Sequence, residues 1–169
     1  LPGASDVCLA SRYDYVCACA NACVHGYDMK SASVFLDKGG VGKTTSTAHF
    51  GVALAEDGQD VLLIDLAGKQ GDLAKHFGVW GDLGPDDERW PNIATVLDES
   101  WTQVREKLPD AADDMIVPTG EGPDLIPAHV GLDQVDDDLT SVPVPQRYEM
   151  LSRFLQEDIE PLGYDVVLV

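Results

Sequence analysis

The chain has 169 residues, of which 44% are hydrophobic, so it is long and apolar enough to form one domain with a buried core. It carries 30 acidic and only 11 basic residues, which gives a formal net charge of −19 and a sequence pI of about 4.2. Because the sequence contains neither an apolar run long enough to cross a membrane nor a signal-peptide pattern, it predicts a cytoplasmic protein.

Residues 1–28 differ from the rest because they show no helical or strand period and contain all four cysteines. The residues of this segment that could in principle hold a metal ion are Cys17, Cys19, Cys23 and His25. Their spacing matches none of the paired C-x2-C patterns typical of zinc sites. We therefore interpret residues 1–28 as a disordered leader or a mis-assigned upstream stretch, and we predict that the folded domain covers residues 29–169.

Strands and helices alternate from Met29 onward. Residues 33–36 are predicted to form a short apolar strand, and a glycine-rich loop follows it. Residues 44–57 are predicted as a helix that ends at Gly58. Residues 61–64, VLLI, form a continuous apolar run of the kind found in parallel strands that are buried on both faces.

The same alternation continues after a loop rich in Gly, Pro and Asp over residues 80–91. The later predicted elements are a helix over 93–108, strands over 115–119 and 124–128, helices over 130–139 and 146–158, and a strand over 164–169. This order predicts an α/β fold in three layers with a mostly parallel sheet.

The acidic residues are concentrated in the second half of the chain. Residues 82–169 contain 21 acidic and 5 basic residues, and in the whole chain Asp outnumbers Glu by 22 to 8. A solvated acidic face that aids solubility would explain this pattern. We favour adaptation to molar salt, because an Asp-rich, Lys-poor composition resembles that of proteins from salt-loving archaea. The second half offers no basic patch for DNA.

The stretch LDKGGVGKTTS, residues 36–46, has the properties of a phosphate-binding loop. It departs from the common pattern G-x-x-x-x-G-K-[ST], because Asp37 occupies the position of the first glycine. Glycines allow successive backbone N–H groups to point at one anion, and the following helix directs its positive end to the same place. A glycine-rich surface turn is the alternative interpretation. The candidate nucleotide-binding residues are Lys38, Gly39, Gly40, Val41, Gly42, Lys43, Thr44 and Thr45.

The segment KGGVGKTT resembles the deviant Walker A motif K-G-G-x-G-K-[ST] of the ParA/MinD superfamily. The similarity extends in order through the later landmarks VLLID, VPT, DLIPA, GLD and YDVVLV, and it is closer to ParA/Soj partition ATPases than to MinD. It implies a P-loop ATPase fold that binds ATP and Mg²⁺. Asp37 falls where this superfamily usually has Gly or Gln.

The resemblance implies a role for each residue of the loop. Lys38 would reach across an ATP-dependent homodimer to the phosphates held by the partner subunit. Lys43 would bind the phosphates of its own subunit, Thr44 would ligate Mg²⁺, and Thr45 would donate to a phosphate. A cation supplied by the partner would stabilise phosphoryl transfer and hold the dimer together.

Two acidic positions that follow the second strand of the superfamily bear on hydrolysis. The superfamily usually reads D-x-D at the end of this strand, and this chain has Asp65 followed by Ala67. The second acid positions the attacking water, so Ala67 predicts slow hydrolysis, unless Asp72 replaces it. For Asp65 we predict a catalytic role near Mg²⁺, and capping of the next turn is the alternative.

The sequence ends just before the position at which the superfamily has a Mg²⁺-binding acid. The Mg²⁺-binding acid of the superfamily would follow Val169 directly, so we interpret the chain as the N-terminal part of a ParA-like domain. Asp165 does not match that acid, because it starts the last strand instead of ending it.

The sequence thus predicts a ParA-type ATPase that acts in plasmid or chromosome partitioning, with DNA and a ParB-like protein as partners of the full-length form. Two alternatives remain. One is a nucleotide-gated switch with little or no hydrolysis, and the other is a P-loop iron–sulfur carrier that uses the N-terminal cysteines.

Overall fold

The computed structural model describes residues 29–34, 39–68, 71–82, 89–98, 100–139 and 144–169. The predictions made for residues 1–28, for Asp37 and for Lys38 therefore lie outside the described residues.

The described residues contain a five-stranded sheet in the order β1-β5-β2-β4-β3. The strands are β1 (Lys30–Ala32), β2 (Val61–Ile64), β3 (Val117–Pro118), β4 (Asp124–Ile126) and β5 (Val166–Leu168). Strands β1, β5, β2 and β4 pair in parallel, and β3 pairs with β4 antiparallel. The predicted α/β fold with a mostly parallel sheet is therefore confirmed.

The helices cover both faces of this sheet. They are α1 (Lys43–Glu56), α2 (Asp72–His76), α3 (Ile93–Val96), α4 (Trp101–Lys107), α5 (Leu132–Leu139) and α6 (Val144–Phe154). Strand β2 shows why two layers of helix are needed. Its side chains alternate, so Val61 and Leu63 join the core beneath α1 and α2, while Leu62 and Ile64 join the core beneath α3 to α6.

Several predicted boundaries are wrong, because strand pairing and capping set them. The first strand was expected at residues 33–36 but occupies Lys30–Ala32, since its register with β5 pairs Lys30 with Val166. The two middle strands are shorter than predicted because they form a tight antiparallel hairpin. Thr119 Oγ1 closes that hairpin by donating to the Pro123 carbonyl oxygen at 2.5 Å.

The helix predicted over residues 93–108 is two helices, α3 and α4. Asn92 caps α3 through a reciprocal capping box with Thr95. Asp98 then accepts a hydrogen bond from the Ser100 amide at 3.0 Å, just before α4 begins. Further along the chain, α5 begins two residues later than predicted, and α6 ends at Phe154, where a π-turn (Leu155–Ile159) follows. The final strand is confirmed in shortened form.

Leu63 is the residue at which we expect the largest loss of stability in the sheet. It is 0% exposed, and a Cβ atom added to Gly51 of α1 would lie only 2.9 Å from Leu63 Cδ2, which shows how closely helix and strand approach. Leu63→Ala should lower the free energy of unfolding by about 2–5 kcal/mol through lost burial and a cavity. Urea denaturation measures this change. Leu162→Ala is the matched control, because Leu162 is 41% exposed, and an equal loss in both variants would contradict the packing described.

Candidate functional site

The glycine-rich loop that precedes α1 has the backbone that its sequence predicts. Gly40 and Gly42 adopt φ angles of 72° and 88°, in the left-handed region that side chains other than glycine rarely enter. A Cβ atom at either position would meet nothing within 4 Å, so these glycines are needed for their conformation and not to avoid a neighbour. Val41, between them, is exposed. The result is an open backbone turn at the start of a long helix.

Helix α1 presents its N-terminus to this turn. Gly42 is the N-cap, and its carbonyl oxygen accepts from the Ser46 amide at 2.8 Å. The first turn of α1 contains no acidic residue, and Gly42 has no side chain that could cap it. The partial positive charge of the first amides is therefore not offset by an acid of this turn, which suits an anion.

The candidate side chains lie at the beginning of α1. Lys43 is its first residue, and Thr44 is half-buried beside it, while Thr45 is exposed. The structure thus brings together all the predicted loop residues that it describes, which are Gly39, Gly40, Val41, Gly42, Lys43, Thr44 and Thr45. Of the three residues predicted to be catalytic, Lys43 lies here, Asp65 follows β2, and Lys38 lies outside the described residues.

Asp65 follows β2 directly, at the carboxyl edge of the parallel strands. Its side chain is 4% exposed. Oδ1 accepts from the Ala67 amide at 2.9 Å, and Oδ2 accepts from the Leu73 amide at 3.2 Å. These hydrogen bonds are expected of an acid that caps the next turn, which was the alternative interpretation of Asp65. A role of Asp65 near Mg²⁺ remains a prediction.

Burial raises the pKa of Asp65 above its ordinary value of 3.8, although both amide hydrogen bonds oppose the shift. An acid with a raised folded-state pKa favours folding most when it is protonated. The contribution of Asp65 to the free energy of unfolding should therefore fall as the pH rises from about 3.8 through the folded-state pKa, and stay constant above it. Urea denaturation of the wild type and of Asp65→Asn across this range measures the difference. A difference that does not change with pH, or that changes in favour of the wild type as pH rises, would contradict this assignment.

Asp72, which the sequence suggested as a possible replacement for the missing acid at Ala67, is the first residue of α2. Its Oδ1 lies 4.0 Å from Lys75 Nζ on the helix surface. Ala67 itself is exposed, and its amide donates to Asp65. The replacement of Ala67 by Asp72 remains a prediction.

One feature of this region escaped the sequence interpretation. The indole ring of Trp80 packs on Gly71, and Lys75 Nζ lies 4.6 Å from the centroid of that ring. A glycine followed nine residues later by a tryptophan has no periodic signature, and only the return of the chain after α2 brings the two residues together. The one sequence feature that could have indicated this contact is Gly71 at the start of α2.

A cleft of about 300 Å³ lies between α4, α6 and the π-turn that follows α6. Arg105 pairs there with Glu157 and, at 3.4 Å, with Asp158, which also accepts from Trp101 Nε1 at 3.0 Å. The cleft is on the opposite face of the sheet from α1. The contacts of Arg105 and Trp101 therefore link α4 to the π-turn that follows α6.

Neither a metal cluster nor a membrane span is found in the described part of the chain. No three His, Cys, Asp or Glu side chains among these residues are placed to hold a metal ion together. The described helices are all too short or too polar to cross a membrane. The four cysteines of residues 1–28 lie outside the described residues.

Strand β1, the left-handed glycine turn and the long helix that starts at a lysine, set on a mostly parallel sheet, define a P-loop nucleotide-binding fold. The chain belongs to the AAA domain family of ParA/MinD-like P-loop proteins, since the family model AAA_31 (AAA domain) matches residues 29–169. The superfamily resemblance predicted from KGGVGKTT is thereby confirmed.

Two curated relatives match parts of this chain. The uncharacterized protein Rv1708 of Mycobacterium tuberculosis is 35% identical over 133 residues, which cover 78% of this chain and 36% of the relative. The uncharacterized protein MJECL24 of Methanocaldococcus jannaschii is 35% identical over 104 residues, which cover 62% of this chain and 37% of the relative. The chain therefore spans little more than a third of the length of these relatives.

Solved structures give the same fold. The cobyrinic acid a,c-diamide synthase of Mycobacterium smegmatis with bound ATP analog and magnesium has a TM-score of 0.60 and 30% identity, over 85% of this chain and 50% of the synthase. A putative plasmid partition protein of Borrelia burgdorferi B31 bound to AMPPNP has a TM-score of 0.59 and 23% identity, over 85% of this chain and 53% of the partition protein. An ATP complex of a McdA variant from Cyanothece has a TM-score of 0.58 and 23% identity, over 85% of this chain and 48% of McdA. The last two likenesses concern the fold alone.

Proposed function

We propose that this chain binds ATP and Mg²⁺ through residues 38–45 and forms the nucleotide-binding part of a ParA-type ATPase. The observation that carries the proposal is the pair of left-handed glycines, Gly40 and Gly42, that lead into a 14-residue helix without an acid in its first turn. The ATP analog and magnesium bound to the cobyrinic acid a,c-diamide synthase, which is 30% identical, support the choice of ligand.

Each residue of the loop has a defined task in this proposal. The amides of Gly39, Gly40, Val41 and Gly42 surround the phosphates, because a turn of this kind points successive N–H groups inward. Lys43 contributes a positive charge to the β- and γ-phosphates, and Thr44 ligates Mg²⁺ through its hydroxyl. Thr45 donates to a phosphate oxygen. Lys43, Thr44 and Thr45 are the first three residues of α1, so one helix carries these three side chains.

The whole protein is proposed to work as an ATP-dependent homodimer. Lys38 would contact the nucleotide of the partner subunit, where a cation supplied in trans compensates the charge of the γ-phosphate. Plasmid or chromosome partitioning, with DNA and a ParB-like protein as partners, is the role that we infer for the full-length protein. The likeness of the fold to the plasmid partition protein of Borrelia burgdorferi is in keeping with that role.

A second candidate function is a nucleotide-gated switch that dimerises on ATP with little or no turnover. Ala67 favours the switch, because the superfamily's D-x-D pattern has its second acid where this chain has alanine. Asp72, the possible replacement, is paired with Lys75. ATP-dependent dimerisation without phosphate release would distinguish the switch from the ATPase. Iron–sulfur transport stays the last alternative, and an absorbance in the visible range after anaerobic reconstitution, lost on replacing Cys17 and Cys19, would support it.

Isothermal titration of the protein with a non-hydrolysable ATP analog, with and without Mg²⁺, tests the proposal. We expect one nucleotide per chain and binding that strengthens when Mg²⁺ is added, since Thr44 is proposed to ligate the metal. A protein that binds no nucleotide, or that binds it equally well without Mg²⁺, would contradict the proposed site.

A further inference from the structure

The packing of Trp80 on Gly71 is unusually close. A Cβ atom added at Gly71 would lie 1.7 Å from Trp80 Cζ3 and 2.5 Å from both Cε3 and Cη2, so the six-membered ring rests on the glycine backbone. Gly71 also has a left-handed φ of 52°. Position 71 therefore requires glycine for two independent reasons, its backbone conformation and the space that the ring occupies.

Helix α2 begins at Asp72, directly after Gly71, and contacts with residues outside the helix stabilise it. It has only five residues, and helices of that length are not stable by themselves. Lys75 Nζ lies over the Trp80 ring, and the Val79 amide donates to the Ala74 carbonyl oxygen at 3.0 Å, which turns the chain back toward Gly71. Trp80 is thus bound to both ends of α2.

The same helix supplies one of the two hydrogen bonds that Asp65 accepts. The Leu73 amide donates to Oδ2 at 3.2 Å, and the Ala67 amide donates to Oδ1 at 2.9 Å. Ala67 is two residues from Asp65, so its amide moves with the carboxylate. The Leu73 amide is different, because its place depends on α2: the N-cap Gly71 lies under the Trp80 ring, and the Leu73 side chain is buried in the core.

We propose that Trp80 is a positioning residue, which holds α2 so that the Leu73 amide orients the carboxylate of Asp65. This inference rests on the proposed nucleotide and Mg²⁺ site and on the predicted role of Asp65 near that Mg²⁺. Because Asp65 is 4% exposed, it cannot be reoriented by solvent, and the direction of its two oxygens is set by these two amides. Loss of the Trp80 contact frees α2 and releases Oδ2.

Amide hydrogen exchange and Mg²⁺-dependent binding of an ATP analog test this role in the same variants. In Trp80→Ala, the Leu73 amide should exchange about tenfold faster or more, because α2 opens locally. The Mg²⁺ concentration that gives half-maximal nucleotide binding should rise several-fold. Trp80→Phe keeps a ring over Gly71 and should restore both values toward the wild type. Trp90→Ala is the matched control, since Trp90 is 59% exposed, and should change neither.

Gly71→Ala keeps Trp80 in the chain but places a methyl group where the ring lies, and it also strains the left-handed backbone of position 71. It should produce the same two changes, and unaltered exchange in β2 in either variant shows that the fold is intact. Unchanged Leu73 exchange in both Trp80→Ala and Gly71→Ala would overturn the proposal. Faster exchange with an unchanged Mg²⁺ requirement would equally overturn the positioning role. A wild-type protein that binds no nucleotide contradicts the proposed function instead, and the exchange data then decide by themselves whether Trp80 controls Leu73.

Discussion

Replacing Lys43 with alanine is expected to weaken ATP binding by roughly 10- to 150-fold, because hydrogen bonds to charged groups contribute about 1.5–3 kcal/mol and 1.4 kcal/mol is a factor of ten. Lys43 is the first residue of α1, so its side chain begins next to the loop amides that we propose surround the phosphates. A compact positive charge at that place acts on the phosphates together with the helix dipole. The Lys43→Ala variant loses the charge and leaves the backbone of the loop in place.

Titration of an ATP analog into both proteins measures this loss. Lys107→Ala is the matched control, because it removes the same charge from the chain. Lys107 lies in the last turn of α4, on the other face of the sheet. The control should bind as the wild type does. Wild-type affinity in Lys43→Ala, or an equal loss in Lys107→Ala, would show that binding depends on overall charge and not on the loop.

Ala67→Asp is expected to raise the rate of phosphate release by about 10² to 10⁴, because general-base help to the attacking water typically contributes that much. Ala67 is exposed and follows Asp65 at the carboxyl edge of the sheet, on the same edge as the start of α1. A carboxylate introduced there restores the D-x-D pattern. The substitution adds a side chain where the structure leaves room for one.

Phosphate release should be measured in the full-length protein, with and without the substitution. Ala53→Asp is the matched control, since Ala53 is an exposed alanine of α1 and the change in charge is identical. The control should leave the rate unchanged. Rapid turnover by the wild type, equal to that of Ala67→Asp, would contradict the prediction of slow hydrolysis, and nucleotide-dependent dimerisation without turnover in either protein would favour the switch.

Local patterns predicted much of the fold. The apolar run VLLI became β2 with the predicted bounds, because four consecutive buried residues suit only a strand with neighbours on both sides and helices on both faces. Helix α1 was predicted within one residue at each end, since the loop glycines and Gly58 mark its limits. Elements whose limits depend on distant partners were less well predicted, as β1 and the α3–α4 break illustrate.

Some predictions concern features that the described residues do not test. The role of Lys38, the interpretation of residues 1–28, the cytoplasmic location and the adaptation to molar salt stay predictions. Measuring the unfolding midpoint at low and molar salt addresses the last of these, because self-repulsion among acidic residues is screened by salt.

The sequence by itself determined the superfamily and the phosphate loop, because both depend on neighbouring residues: glycines at left-handed positions, a lysine and a threonine at the start of one helix. Only the tertiary structure decided the surroundings of Asp65. Its hydrogen bond to Leu73 spans eight residues, and the Trp80 ring that holds α2 reaches back nine residues to Gly71. Contacts of this kind arise when the chain folds back over the sheet, and no local period in the sequence records them.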